Sequence, residues 1–233
     1  MEEEESSSLS FVDNLIDSFE PLKLPSTADK LFTDESSDWW NTALINHDLY
    51  GDRWSVYATG YKDAADILVE HVKTGNRHQD FLVYPIMFMY RQYLELMVKN
   101  IIRLAWKLLD EEEDDDLGSH DISMYWKKCM EILERVSPGD STESLNHIGR
   151  LIKEFCEHDP SSFAFRYPVS KPHKSTKKRT KTLTGLERIN LRNVQEVIDK
   201  VSGLLGGAEA QIDYYLDVKA DMMASCSPGY DGY

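Results

Sequence analysis

The sequence predicts an all-α protein: an antiparallel helical bundle with a long C-terminal helix and one extended basic loop. Three observations carry that expectation. Five or more segments repeat apolar residues at three- and four-residue intervals, the period of a helix with one buried face. The 12 glycines and 8 prolines are too few for a sandwich made of many tight turns. The polar breaks between periodic segments are short, except at 160–184.

Residues 1–10 hold four Glu and four Ser and have nothing to bury, so they read as a disordered tail. Phe11, Val12, Leu15, Ile16 and Phe19 then form a helical stripe closed by Pro21. That stripe can dock on its own domain or be offered to a protein partner. Residues 1–33 are therefore expected to form an acidic flexible tail with a short amphipathic helix, and 34–223 a helical domain. A second helix is expected after Asp34, with Trp39, Trp40, Ala43 and Leu44 facing inward.

From Ser55, the residues Tyr57, Tyr61, Ala64, Ala65, Leu68 and Val72 share one face of a helix ending near Gly75. Residues 80–109 form the most apolar helix, with Asp80 as its cap and Pro85 in its first turn. Leu82 to Tyr90 are apolar all round, which predicts a buried central helix. The seven acids Asp110 to Asp116 repel one another and end it. Ser119 or Asp121 caps the next helix, which carries Ile122, Tyr125, Trp126, Cys129 and Leu133. After Pro138-Gly139, Asp140 with Glu143 forms an acidic capping box for a helix bearing Leu145, Ile148, Ile152 and Phe155. Phe163, Phe165, Tyr167 and Val169 alternate with other residues, as in a short strand or extended arm. Asn190 caps the last helix, whose apolar seam runs Leu191, Val194, Ile198, Val201, Leu205, Ala208, Ile212 and Tyr215. Gly203, Gly206 and Gly207 suggest a kink or a close helix contact there. Residues 224–233 read as a disordered tail.

Composition bounds function before any motif does. The formal charge is -15, from 26 Lys and Arg against 41 Asp and Glu, and that mean field repels phosphate and anionic membranes. Only a local basic segment can override it. Cys129, Cys156 and Cys226 are odd in number and far apart, which reads as reduced thiols in a cytoplasmic protein. The acidic start is unlike a signal peptide, and the longest apolar run, Phe81 to Tyr90, is too short to span a bilayer. No metal or cofactor motif is present, and the acid run lacks the glycine and alternation of a calcium loop.

Three constellations could carry chemistry. Arg91, Glu95, Lys99, Arg103 and Lys107 stand four residues apart along the central helix. They are either a solvated face with ion pairs or, at Arg91 and Glu95, the edge of a cleft. Ser119-His120-Asp121 is a helix cap, or else it presents a histidine able to act as acid or base. Phe163 to Pro168 sets Arg166 among aromatic residues, where its guanidinium can meet a carboxylate or a phosphate. Beyond it, Lys171, Lys174, Lys177, Lys178, Arg179 and Lys181 form a basic loop suited to a nucleic-acid backbone, or a merely solvated one.

The strings YRQYLELMVK (Tyr90–Lys99), HD (His120–Asp121) and FRYP (Phe165–Pro168) together resemble a group of uncharacterised bacterial HEPN-like helical proteins, over about Tyr57 to Leu216. The resemblance implies a bundle on two central antiparallel helices, commonly a homodimer, in defence or toxin–antitoxin systems. Many such relatives cleave RNA without metal, using an Arg and a His separated by four to six residues. Here the only arginine followed by a histidine at that spacing is Arg166 with His173, and Pro168 and Pro172 interrupt the stretch. The candidate catalytic residues are therefore those within the matching strings: Arg91, Glu95, His120 and Arg166. Two functions follow from these readings. One is a HEPN-like protein that acts on or binds RNA or a nucleotide, in one form a metal-independent endoribonuclease. The other is a non-catalytic protein–protein interaction module. Under the first, Arg91, His120 and Arg166 should converge at an open cleft; under the second they should be paired and closed off.

Overall fold

The computed structural model describes residues 24–33, 36–45, 52–75, 77–112, 115–139 and 142–226. The stripe from Phe11 to Phe19, the tail 1–10, Asp140 and the end beyond Cys226 lie outside the described residues. The chain divides into two compact units, 1–46 and 47–233.

In the first unit, the helix expected after Asp34 is only a six-residue 3-10 segment, Ser36–Asn41. Asp38 breaks it with φ -122° and ψ 48°, and its carboxylate accepts from Asn41 Nδ2 at 2.8 Å. Trp39 and Trp40 meet edge to face, 5.4 Å between ring centres, yet both are about 70% exposed, at 70% and 68%. Leu44 and Ala43 are exposed too. The expectation that these side chains face inward is corrected: one broken turn presents no continuous face to bury.

The second unit is an all-α bundle, with five α-helices among the described residues. They are α1 (Arg53–Gly75), α2 (Gln79–Leu108), α3 (Ile122–Val136), α4 (Glu143–His158) and α5 (Leu191–Cys226). Helix α2 is the axis, packing on α1, α3 and α5, while α4 leans on α3. Ala58 and Ala65 are fully buried on α1, and their small side chains bring the two backbones close. A polar clasp joins three helices: Tyr90 donates to Asp66 at 2.6 Å, and Lys62 bridges Asp66 (2.7 Å) and Asp199 (2.6 Å). No described helix is long and apolar enough to cross a membrane.

The start of α2 differs from expectation. His78, not Asp80, holds the cap position, with a left-handed φ of 65° and no side-chain cap bond. Pro85 falls seven residues in, so the N–H it lacks belongs to the second turn. Phe81 and Tyr84 are exposed, and only from Ile86 to Trp106 is every residue buried or half-buried. Gln79, Asp80, Val83 and Tyr84 form one wall of a cleft of about 1050 Å³, whose other walls are 164–169 and 181–191. At the far end, Lys219 of α5 donates to the carbonyl of Leu108 at 2.8 Å and pairs with Asp110. A cation thus covers the negative end of α2.

Asp121 caps α3 by accepting from the Met124 N–H at 3.1 Å. Its inner face places Ile122, Tyr125, Trp126, Cys129 and Ile132 in the core. Burial pushes the Cys129 thiol up to about 12, leaving it unreactive. Thr142 stands at the cap position of α4 without a side-chain bond. Gly149 lets α4 approach α3: a Cβ there would sit 2.6 Å from Trp126 Nε1. Asn190 caps α5 at 3.2 Å from the Asn193 N–H, and the seam residues Leu191, Ile198, Val201, Leu205 and Ile212 are buried in their own bundle. Gly203, Gly206 and Gly207 meet no neighbour, and α5 continues through them to Cys226, so neither the kink nor the close contact forms. Of the short strand or extended arm expected near 163–169, the structure has the arm, entered by a turn over 163–166. One antiparallel bridge, Val169 to Lys181, closes that arm.

Leu205→Ala should cost about 2–5 kcal/mol in a urea melt, because a fully buried side chain leaves a cavity. Gly149→Ala should cost about 1–3 kcal/mol, because the Trp126 ring must move to admit the methyl group. A wild-type melt for Leu205→Ala would place the seam outside the core.

Candidate functional site

The four-residue row on α2 is not a solvated face in its first half. Arg91 is 0% exposed, Glu95 1% and Lys99 5%, so three charges lie inside the bundle. Burial of that kind is tolerable only when each group is paired and hydrogen-bonded. Glu95 supplies the pairing. Its Oε2 accepts from Arg91 Nη1 at 3.0 Å, and its Oε1 accepts from Lys99 Nζ at 2.8 Å. The same Oε1 lies 2.9 Å from His120 Nδ1. An ionised carboxylate only accepts, so Nδ1 carries the proton.

The remaining donors reach two loops. Arg91 Nη2 donates to the His120 carbonyl at 2.6 Å and Nε to the Asp159 carbonyl at 3.3 Å. Lys99 donates to the Ser119 carbonyl at 2.8 Å and lies 4.8 Å from the Tyr125 ring centre. The Tyr125 hydroxyl in turn accepts from the Ser119 N–H at 3.0 Å. One short row on α2 thus fixes the loop that starts α3 and the loop that ends α4. Burial raises the Glu95 carboxyl, but the hydrogen bonds from Lys99 and His120 and the charges of Lys99 and Arg91 outweigh it. The result is a carboxyl held below its ordinary range.

Asp159 continues the construction. It is buried, and its Oδ1 accepts from the N–H groups of Phe163 (2.6 Å) and Ala164 (2.9 Å). The turn it organises puts Ser162 at a left-handed φ of 55°, and the Ser162 carbonyl accepts from Arg166 Nε at 2.5 Å. Arg166 is exposed. Its guanidinium carbon lies 5.4 Å from the Phe88 ring centre and 5.7 Å from that of Tyr167. No described carboxylate pairs with it.

No protein-family model, no curated protein and no solved structure matches this chain. Its chemistry is legible from its own geometry.

Arg91, Glu95 and His120 come together, with Lys99 as a fourth member. The first two are closed off, while the His120 side chain is 55% exposed. Arg166 stands apart, linked to α2 by its stacking on Phe88 and to Asp159 through the 159–166 loop, with no bond to Glu95. Lys171, Lys174, Lys177, Lys178, Arg179 and Lys181 are all exposed on the arm. The arm is shaped by Ser170 N–H to Thr180 O at 2.8 Å and His173 N–H to Lys178 O at 2.9 Å. Among the described residues no three His, Cys, Asp or Glu gather where they could hold a metal ion. Sequence reasoning missed the roles of Lys99 and Asp159. The spacing of four from Glu95 signals the first; nothing in the local sequence signals the second.

Glu95→Gln should lose about 3–5 kcal/mol, since Arg91 and Lys99 stay buried without their counter-charge. Because the folded carboxyl is depressed, its stabilisation is fully present above the unfolded value of about 4.3. It is lost as pH falls through the folded value. Urea melts from neutral to acid pH should therefore show a shallower acid limb in the variant than in the parent.

Proposed function

We propose that this protein is a helical RNA-binding module that holds a single strand by its backbone, without cleaving it. The observation that carries this reading is the arm at 168–182. Six exposed cations stand on it, and none pairs with a described carboxylate in a chain of formal charge -15. Unneutralised lysines and arginines on a projecting arm release counterions when they meet phosphates, and they do so locally against an unfavourable mean field. Holding is placed before cleaving because Arg91 and Glu95 are buried, Arg91 being bonded to Glu95 and two backbone carbonyls and Glu95 to Arg91, Lys99 and His120. A catalytic group must reach the proton it moves.

HEPN-like membership, a homodimer and a place in a bacterial defence or toxin-type system belong to the same proposal. What supports the first is that two of the matching strings meet, Arg91 bonding the His120 carbonyl, while Arg166 of the third lies over Phe88, two residues before the first string. A second reading, a protein–protein interaction module, is favoured by one observation. Leu31, Phe32, Trp39, Trp40, Leu44 and Ile45 are all exposed in the first unit, and exposed apolar groups in number mark interaction surfaces.

Changing Lys177, Lys178 and Arg179 together to Gln should weaken binding of a uridine dodecamer. It should also lower the slope of log K against log salt by roughly 0.7 per lost contact, about 2 in all. Fluorescence anisotropy across a salt series reads both. Equal affinity and equal slope in the triple variant would favour the protein-binding reading.

A further inference from the structure

The cleft at the base of the arm has a character of its own. It holds about 1050 Å³ and is lined by the first turns of α2, by 164–169 and by 181–191, a size suited to a small ligand. Arg166, Lys181 and Arg188 line it against two carboxylates, Asp80 and Glu187, so its charge is positive where the chain as a whole is strongly negative.

Arg166 is pre-set for a ligand. Nε is spent on the Ser162 carbonyl, and Phe88 and Tyr167 both lie within 6 Å of the guanidinium carbon, at 5.4 and 5.7 Å. Tyr167 is itself stacked on Phe163, 4.5 Å between ring centres, and Lys171 lies over Phe163 at 5.5 Å. The ladder immobilises the fork while Nη1 and Nη2 meet no acceptor among the described residues. A planar, fixed guanidinium with two unspent donor groups matches a phosphate bidentately at little entropic cost. From α2, Tyr84 offers a half-exposed ring to the same space. Aromatic faces beside cations are the means by which single strands are held one base at a time.

We propose that this cleft is a nucleotide site that takes one unit of a single-stranded RNA, its phosphate on Arg166 and its base against Tyr84. The proposal rests on the RNA-holding reading of the arm, and it assigns to the cleft the contact that the arm's flexible lysines do not make, the grip on a base.

The test uses the full chain, a labelled uridine dodecamer followed by anisotropy, and uridine monophosphate or inorganic phosphate followed by calorimetry. Arg166→Lys and Tyr84→Ala should each weaken both the dodecamer and the mononucleotide about tenfold or more. The arm triple variant should weaken the dodecamer alone. Tyr84 is half-exposed, so its truncation keeps the test readable if Arg166→Lys lowers the melting temperature. A dodecamer that binds through the arm but is indifferent to Arg166→Lys and Tyr84→Ala would overturn the cleft site and leave the arm reading standing. Mononucleotide binding sensitive to both variants, with no dodecamer binding, would overturn the single strand as the occupant and remove the arm with it. Phosphate binding as tightly as the mononucleotide, with Tyr84→Ala silent, would overturn the base contact.

Discussion

The buried carboxylate of Glu95 is the constraint on which the rest of the helical unit depends. Two basic side chains, Arg91 and Lys99, lie inside the bundle one turn to either side of it. Neither could remain there charged without that counter-charge and a full set of acceptors. The acceptors come from the backbone of two loops, at Ser119–His120 and at Asp159. Satisfying three charges on α2 therefore positions the start of α3 and the end of α4.

That constraint propagates outward by a definite route. The Asp159 carbonyl is held by Arg91, and its carboxylate gathers the N–H groups of Phe163 and Ala164. The turn so formed aims Ser162 at Arg166, and Arg166 sits where the arm at 168–182 leaves the bundle. The protein keeps two kinds of cation apart. Those on α2 are spent internally and stabilise the frame; those on the arm and in the neighbouring cleft are left unspent. Only the second kind can serve a ligand, whatever proportion of the chain's charge is negative.

The helices were largely legible because apolar period and capping chemistry are local. The expected bounds of α1 and α2 lie within two residues of those observed, and Asp121 and Asn190 cap as their residue types suggest. Legibility failed where a local pattern admits two tertiary answers. Leu82 to Tyr90 are apolar on every side, which reads as core, yet Tyr84 and Pro85 are exposed and Val83 and Tyr84 line a cleft, since nothing in sequence says which neighbour is missing. Trp39 and Trp40 carry enough apolar area for a core, yet the turn that bears them is too short to offer a continuous buried face. The glycines of α5 could permit a close contact, and no helix comes to make it. The site divides in the same way. Arg91 with Glu95 was visible from spacing, whereas the separation of Arg166 from Glu95 depends on a loop whose organiser, Asp159, has no local signature.

By itself the sequence determined that this protein is helical, roughly where the helices of the bundle begin and end, and that its densest run of basic residues lies in one non-helical arm. These follow from interactions among residues a few positions apart. Tertiary structure alone decided which charges are buried and which are free. The row from Arg91 to Lys107 has one spacing throughout, but its members differ in what packs over them. The same four-residue repeat is a sealed ion cluster at Glu95 and an exposed side chain at Lys107, because desolvation depends on neighbours from distant parts of the chain.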